Sequence, residues 1–196
     1  MFQDNTHPDP WVSHPHIWKN KVAFFTFLRG ALRAAVWNTY PAKIDFKNKH
    51  VSSPPPDYVG RAKSGANCAL TGQWVNKSSL EVDHIQGNVS LQDWGDVLPF
   101  IQHLTCVSGN MQLVSKEAHK VKSHAERQGL TFAAAQADKF AIQQLKLPVA
   151  EQRKMLVSHG FTDKQLNTQA NRRVAFVTLY QRLNIPQYPT RHRSNM

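Results

Sequence analysis

Apolar residues recur at helical spacing across residues 18–39, where Val22, Phe25, Leu32, Val36 and Thr39 fall on one face. Tyr40-Pro41 ends that segment, because proline cannot continue a helix. The run Ser52-Ser53-Pro54-Pro55-Pro56-Asp57 follows and reads as a stiff linker. From Leu80 the period changes to two, with Leu80, Val82 and His84 on one side of a strand and Glu81, Asp83 and Ile85 on the other. Residues 111–114 form a second short apolar run that can pair with the first as an antiparallel ribbon across the long segment between them. Ser115 is placed to cap a helix that carries Glu117 in its first turn and His119 one turn further on.

Three more helical stretches complete the chain. Residues 131–146 form one, residues 149–159 a second, opened by Pro148 and closed by Gly160, and residues 163–183 a third. Thr162 with Gln165 makes a capping box for the last, whose predicted buried face is Leu166, Ala170, Val174 and Val177. The pattern predicts an α+β protein, a strand-loop-strand-helix centre within a mostly helical chain. Its expected divisions are an N-terminal helical segment 1–51, a Pro-rich linker 52–66, the centre 67–127 and a C-terminal helical region 128–196.

Charge adds a partner. Lys and Arg number 24 against 13 Asp and Glu, a formal charge of +11, as expected of a protein that displaces counterions from a phosphate backbone. Basic residues outnumber acidic ones 10 to 4 in residues 1–79 and 11 to 4 in residues 125–196, whereas residues 80–124 hold 3 basic and 5 acidic. A mildly acidic centre between basic flanks suits a core that holds a cation while the flanks grip DNA, although basic helices also serve solubility alone. No apolar run reaches membrane-spanning length, and Met1-Phe2-Gln3-Asp4 lacks a basic leader with a hydrophobic segment, so the expected location is the cytosol.

The centre carries the chemistry. Cutting a phosphodiester requires an activated water and a cation that stabilises charge on the phosphorane and the departing oxygen. His84 is the candidate base, since an imidazole of ordinary pKa about 6.5 is largely neutral near pH 7 to 8. Asp83 and His119 together can hold one divalent ion and leave its other positions to water and phosphate oxygens. Asn110 stands at the mouth of the second strand.

These residues resemble the HNH endonucleases, whose active site is the ββα-metal fold, over roughly residues 67–124. The resemblance implies that His84 is the general base, that Asp83 and His119 are the metal ligands, and that Asn110 orients the base loop. The step from Asn110 to His119 is like that in the HNH domains of RNA-guided CRISPR effectors, and Lys122-Ser123 is similar to the family's closing Lys-Thr or Lys-Ser. Leu28-Arg29-Gly30-Ala31-Leu32-Arg33 through Trp37, Tyr40 and Pro41 is similar to the leading helix of small phage-type HNH proteins. One departure is clear. Many relatives carry two Cys-x-x-Cys pairs that bind a structural zinc, whereas here Thr71 follows Cys68, and Val114 and Glu117 replace the second pair. A four-thiolate site cannot form, and although Cys68, Cys106 and His103 make a partial donor set, the expectation is no structural zinc.

The resulting expectation is a DNA endonuclease dependent on one Mg2+ or Mn2+ ion, acting on double-stranded DNA, of phage or homing type. Its alternatives are a sequence-tolerant HNH nuclease in restriction, packaging or phage competition, and a catalytically inactive DNA-binding regulator. Candidate DNA contacts are Lys116, Lys120 and Lys122 beside the centre and Arg172 and Arg173 in the tail. The turn Ser158-His159-Gly160-Phe161-Thr162 permits a helix-turn-helix whose second helix offers Lys164, Gln165, Asn167, Thr168, Gln169 and Asn171 with those arginines, but a plain helical bundle has the same pattern. His103, His124 and His159 are assigned no role.

Overall fold

The computed structural model describes residues 9–87 and 89–183. The opening tetrapeptide and the last part of the C-terminal region, 184–196, lie outside the described residues. The protein is α+β, mostly helical, with two small antiparallel sheets. Its chain divides into two compact units, one of Met1–Ser52 with Glu81–Leu113, the other of Ser53–Leu80 with Val114–Met196. The boundaries fall inside the strand-loop-strand-helix centre, so the order of segments along the chain is not the order of packing. No helix among the described residues is long and apolar enough to cross a membrane.

In the first unit, α1 (Pro10–Ser13) precedes α2 (Lys21–Leu32), which starts where the Asn20 side chain accepts the N–H of Ala23 at 2.9 Å. After Leu32 the helix widens into a π turn, Arg33–Trp37, closed by the Asn38 N–H on the Arg33 carbonyl at 3.0 Å. Pro41 then opens α3 (Pro41–Lys49), a helix the hydrophobic pattern did not indicate. The predicted face is corrected in part. Phe25 is buried, and Leu32 and Val36 pack on the same core, but Val22 is 72% exposed and Thr39 is exposed with its hydroxyl donating to the Ala35 carbonyl. Trp11, Phe24 and Leu28 also pack against this core, and the π turn shifts the helical phase before Thr39.

The core of this unit is Phe25, Leu91, Phe100 and Leu104. The last two come from α4 (Val97–Leu104), which lies within the long segment between the predicted strands. Those strands are present as β3 (Leu80–His84) and β4 (Met111–Ser115), paired in a sheet of their own.

In the second unit β1 (Gly65–Asn67) and β2 (Trp74–Asn76) form an antiparallel hairpin with Ala66 opposite Val75. A Cβ at Gly65 would meet the Val75 carbonyl oxygen at 2.2 Å, so this close approach requires glycine. Cys68 at the hairpin turn packs with Val114 and Ala118, and its Sγ accepts the Ser115 N–H at 3.3 Å. Ser115 caps α5 (Lys116–Gln128), its hydroxyl accepting the Ala118 N–H at 3.0 Å. Thr131 caps α6 (Phe132–Gln144), and α7 (Val149–Ser158) follows Pro148 and ends at Gly160, whose φ of +86° favours glycine.

The last predicted helix is interrupted. The Thr162 N–H does reach Gln165 Oε1 at 2.9 Å, but the segment it opens is a short 3-10 turn, Asp163–Leu166. Thr168 then caps a new helix, α8 (Gln169–Arg182). The restart resets the helical phase. Leu166 is buried and Val177 packs on the core as expected, but Ala170 and Val174 are exposed, and Ala175, Phe176 and Leu179 enter the core with Ala141 and Leu156. Lys164, Gln165 and Asn167 therefore do not share one long recognition helix with Gln169 and Asn171.

Candidate active site

Alternation along β3 buries Leu80, Val82 and His84 and leaves Ile85 half exposed, while Asp83, on the other side of the strand, is also buried at 8% exposure. His84 is equally covered. Its Nε2 lies 3.0 Å from the carbonyl oxygen of His103. That oxygen sits in the last turn of α4, where helix carbonyls have no intrahelical partner, and it can only accept. The proton of neutral His84 is thus on Nε2 and its lone pair on Nδ1, and the hydrogen bond persists when the ring is protonated.

Both faces of the imidazole are occupied. The Trp37 ring stacks on it with a centroid distance of 4.0 Å and an interplanar angle of 28°, and the His103 ring with 4.0 Å and 24°. The Lys43 ammonium lies 4.5 Å over the Trp37 ring. Burial holds that ammonium below the ordinary lysine range against the opposing pull of Glu81, with Lys47 pushing the same way as burial.

Asn110 closes the turn that follows His84. Its carbonyl accepts the Ile85 N–H at 2.9 Å, its Oδ1 accepts the Gln86 N–H at 2.8 Å, and its Nδ2 donates to the Gln86 carbonyl at 3.3 Å. The Gln112 amide on β4 donates to Asp83 Oδ2 at 3.0 Å and orients that carboxylate. Asp83, His84 and Asn110 are therefore brought together within the first unit. His119 belongs to the second unit, half-buried on α5.

A carboxylate oxygen and an imidazole nitrogen are donor types that suit a magnesium or manganese ion keeping several waters, and of the two expected ligands Asp83 lies in the first unit and His119 in the second. Among the described residues no three His, Cys, Asp or Glu side chains gather into a larger cluster. Of the partial zinc set, Cys68 lies in the second unit and Cys106 and His103 in the first. Burial acts to raise the Cys68 thiol pKa, but the Thr71 side chain and backbone N–H groups at Ser115, Leu70 and Thr71 pull it below its ordinary value. Thr71 thus engages the Cys68 sulfur.

The expected DNA contacts separate into two kinds. Lys116 and Lys120 are exposed one turn apart on α5. The other three have partners within the chain. Lys122 keeps a side chain only 13% exposed and pairs with Glu126 at 3.4 Å. Arg172 is buried, donating from Nε to Gln152 Oε1 at 2.8 Å and from Nη1 to the Leu166 carbonyl at 3.0 Å. Arg173 is engaged by Asp138 through two hydrogen bonds of 2.7 Å. Of these three, only Arg172 is buried, while the Arg173 side chain stays 47% exposed beside Asp138.

Trp37, His103 and Gln112 were not indicated by sequence reasoning. Gln112 had a legible signal as the polar residue inside an apolar strand run, whereas nothing local to Trp37 or His103 points to His84. Comparison of the chain with protein-family models, curated proteins and solved structures finds no match.

Proposed function

We propose that this protein is an HNH-type endonuclease that hydrolyses phosphodiester bonds of double-stranded DNA with His84 as general base. The observation that carries the reading is the setting of His84, with Nε2 on the His103 carbonyl and the next turn clasped by Asn110. A base must present a lone pair in a fixed direction, and this arrangement leaves Nδ1 as the basic atom of a ring that cannot readily turn. His84 Nδ1 takes a proton from water as the oxygen attacks phosphorus and the bond to the leaving oxygen breaks. Asp83, oriented by Gln112, and His119 would hold one Mg2+ or Mn2+ ion. When bound, that ion supplies electrostatic stabilisation of the charge that builds on the phosphoryl and leaving oxygens. Lys116 and Lys120, both exposed on α5, are candidates for gripping the backbone.

A second reading, a DNA-binding protein on an inactive ββα scaffold, is favoured by one observation. His84 is only 8% exposed, with both ring faces covered. Supercoiled plasmid incubated with the protein and magnesium or manganese separates the two. The nuclease reading expects cleavage that falls about 10²- to 10⁴-fold in His84→Ala while duplex affinity stays within about twofold. Duplex binding without cleavage in either metal selects the binder, and unchanged cleavage by the variant removes His84 from the mechanism.

A further inference from the structure

Trp37 reaches His84 through an irregularity in its helix. The residues of α2 that face the unit's core are Phe25, Leu28 and Leu32, and in a regular continuation Val36 would follow them while Trp37 turned away. The π turn Arg33–Trp37 changes this, and both Val36 and Trp37 pack against the core cluster. Single π turns inside α-helices are uncommon and concentrate at functional sites, because they lose regular hydrogen bonding to redirect a side chain. Here the redirected side chain lies flat on an imidazole.

The opposite plane is built from α4. His103 makes two contacts with the same partner, its carbonyl receiving Nε2 and its ring stacking on the other face of His84. The two sides are also tied together, since the Tyr40 hydroxyl, three residues past Trp37, donates to the Thr105 carbonyl, two residues past His103, at 3.1 Å. Lys43 on α3 backs Trp37 from outside. The His103 carbonyl selects the Nε2–H tautomer only while the ring is held facing it, and two stacked aromatic planes hold the ring there.

We propose that Trp37 and the His103 ring are positioning residues for His84, clamping its imidazole in one tautomer and one orientation. The kinetic part of this inference rests on the nuclease reading, and the tautomeric part does not. In metal-free protein, long-range proton–nitrogen NMR should show His84, assigned by its loss in His84→Gln, as a single neutral tautomer protonated at Nε2. Trp37→Ala and His103→Ala should each give an averaged pair of tautomers. Trp37→Phe, which keeps an aromatic plane, should restore the single form.

His103→Ala retains the backbone carbonyl, so its effect isolates the ring. It also supplies the result should Trp37→Ala fail to fold. In plasmid cleavage, both alanine variants should lower kcat about tenfold to a hundredfold with little change in KM, and Trp37→Phe should recover most of it, since misplacement of a reacting group by about 1 Å has effects of that size. A single Nε2–H tautomer persisting in His103→Ala overturns the clamp. So does cleavage at the parental rate in that variant. If the parent protein does not cleave, the nuclease reading fails and the tautomer measurement decides the clamp alone.

Discussion

Arg172 donates from Nε to Oε1 of Gln152 at 2.8 Å, joining α8 to α7 inside the second unit, and its Nη1 also holds the Leu166 carbonyl at the 3-10 turn before α8. One guanidinium thus connects three successive elements. Gln152 completes the arrangement by donating to the Leu147 carbonyl at 2.6 Å. Replacing Arg172 with Ala strands buried acceptors, which should destabilise the protein by about 1 to 3 kcal/mol. Urea unfolding measures this, and a midpoint equal to that of the parent would mean that Arg172 is not held inside.

The Asp138 carboxylate gives the same unit a dependence on pH. Arg173, with a smaller contribution from His124 at 2.7 Å, holds its pKa below the ordinary value, although burial acts in the opposite direction. A depressed folded-state pKa means that this contribution is fully present above the unfolded pKa of about 3.9 and is lost as pH falls through the lower folded value. Unfolding midpoints should therefore decline below about pH 4, and Asp138→Asn should weaken that decline while lowering stability at neutral pH. Identical acid profiles for the two proteins would exclude Asp138 as a contributor.

Asn110 can be tested without reference to catalysis. Its side chain both accepts from the Gln86 N–H and donates to the Gln86 carbonyl, and each such bond contributes about 0.5 to 1.5 kcal/mol net. Asn110→Ala should speed hydrogen exchange at the Gln86 amide by about tenfold, because local opening becomes easier. Asn110→Asp retains the acceptor and should stay near the parent rate. Equal exchange in all three would remove the clasp from the account of this turn.

If Asp83 and His119 hold a metal, then the Gln112 amide acts on it through Asp83. Chelation should abolish cleavage, magnesium or manganese should restore it, and Gln112→Leu should raise the metal concentration needed by about tenfold or more, as is usual when a ligand loses its orienting hydrogen bond. Metal titration of the cleavage rate is the measurement. An unchanged requirement in Gln112→Leu would place the metal on other residues.

Local chemistry explains which features were legible from the chain alone. Ser115 caps its helix three residues away, Thr131 does the same, Gly160 ends α7, and the Thr162–Gln165 box forms, since each motif is completed by atoms within four residues. The alternation of β3 was visible for a similar reason, as a period of two needs only the strand itself to separate its faces.

Features that depend on distant partners were not legible. Arg172 and Lys116 carry the same sign of charge, yet one is buried against Gln152 and the other is exposed, and a basic side chain does not encode which acceptor will face it 20 residues away. The predicted buried face of the last helix held at Leu166 and Val177 but failed at Ala170 and Val174, because periodicity cannot be carried across a break and Thr168 restarts the helix in a new phase set by packing on α6 and α7. Trp37 and His103 meet His84 only because a π turn and a helix within a long inter-strand segment converge on it. Sequence thus determined the helix caps, the two central strands and the helix that follows them, and placed the candidate base on its strand. Tertiary packing decided which cations remain at the surface and what surrounds that base, because burial is a property of pairs of elements and not of any one of them.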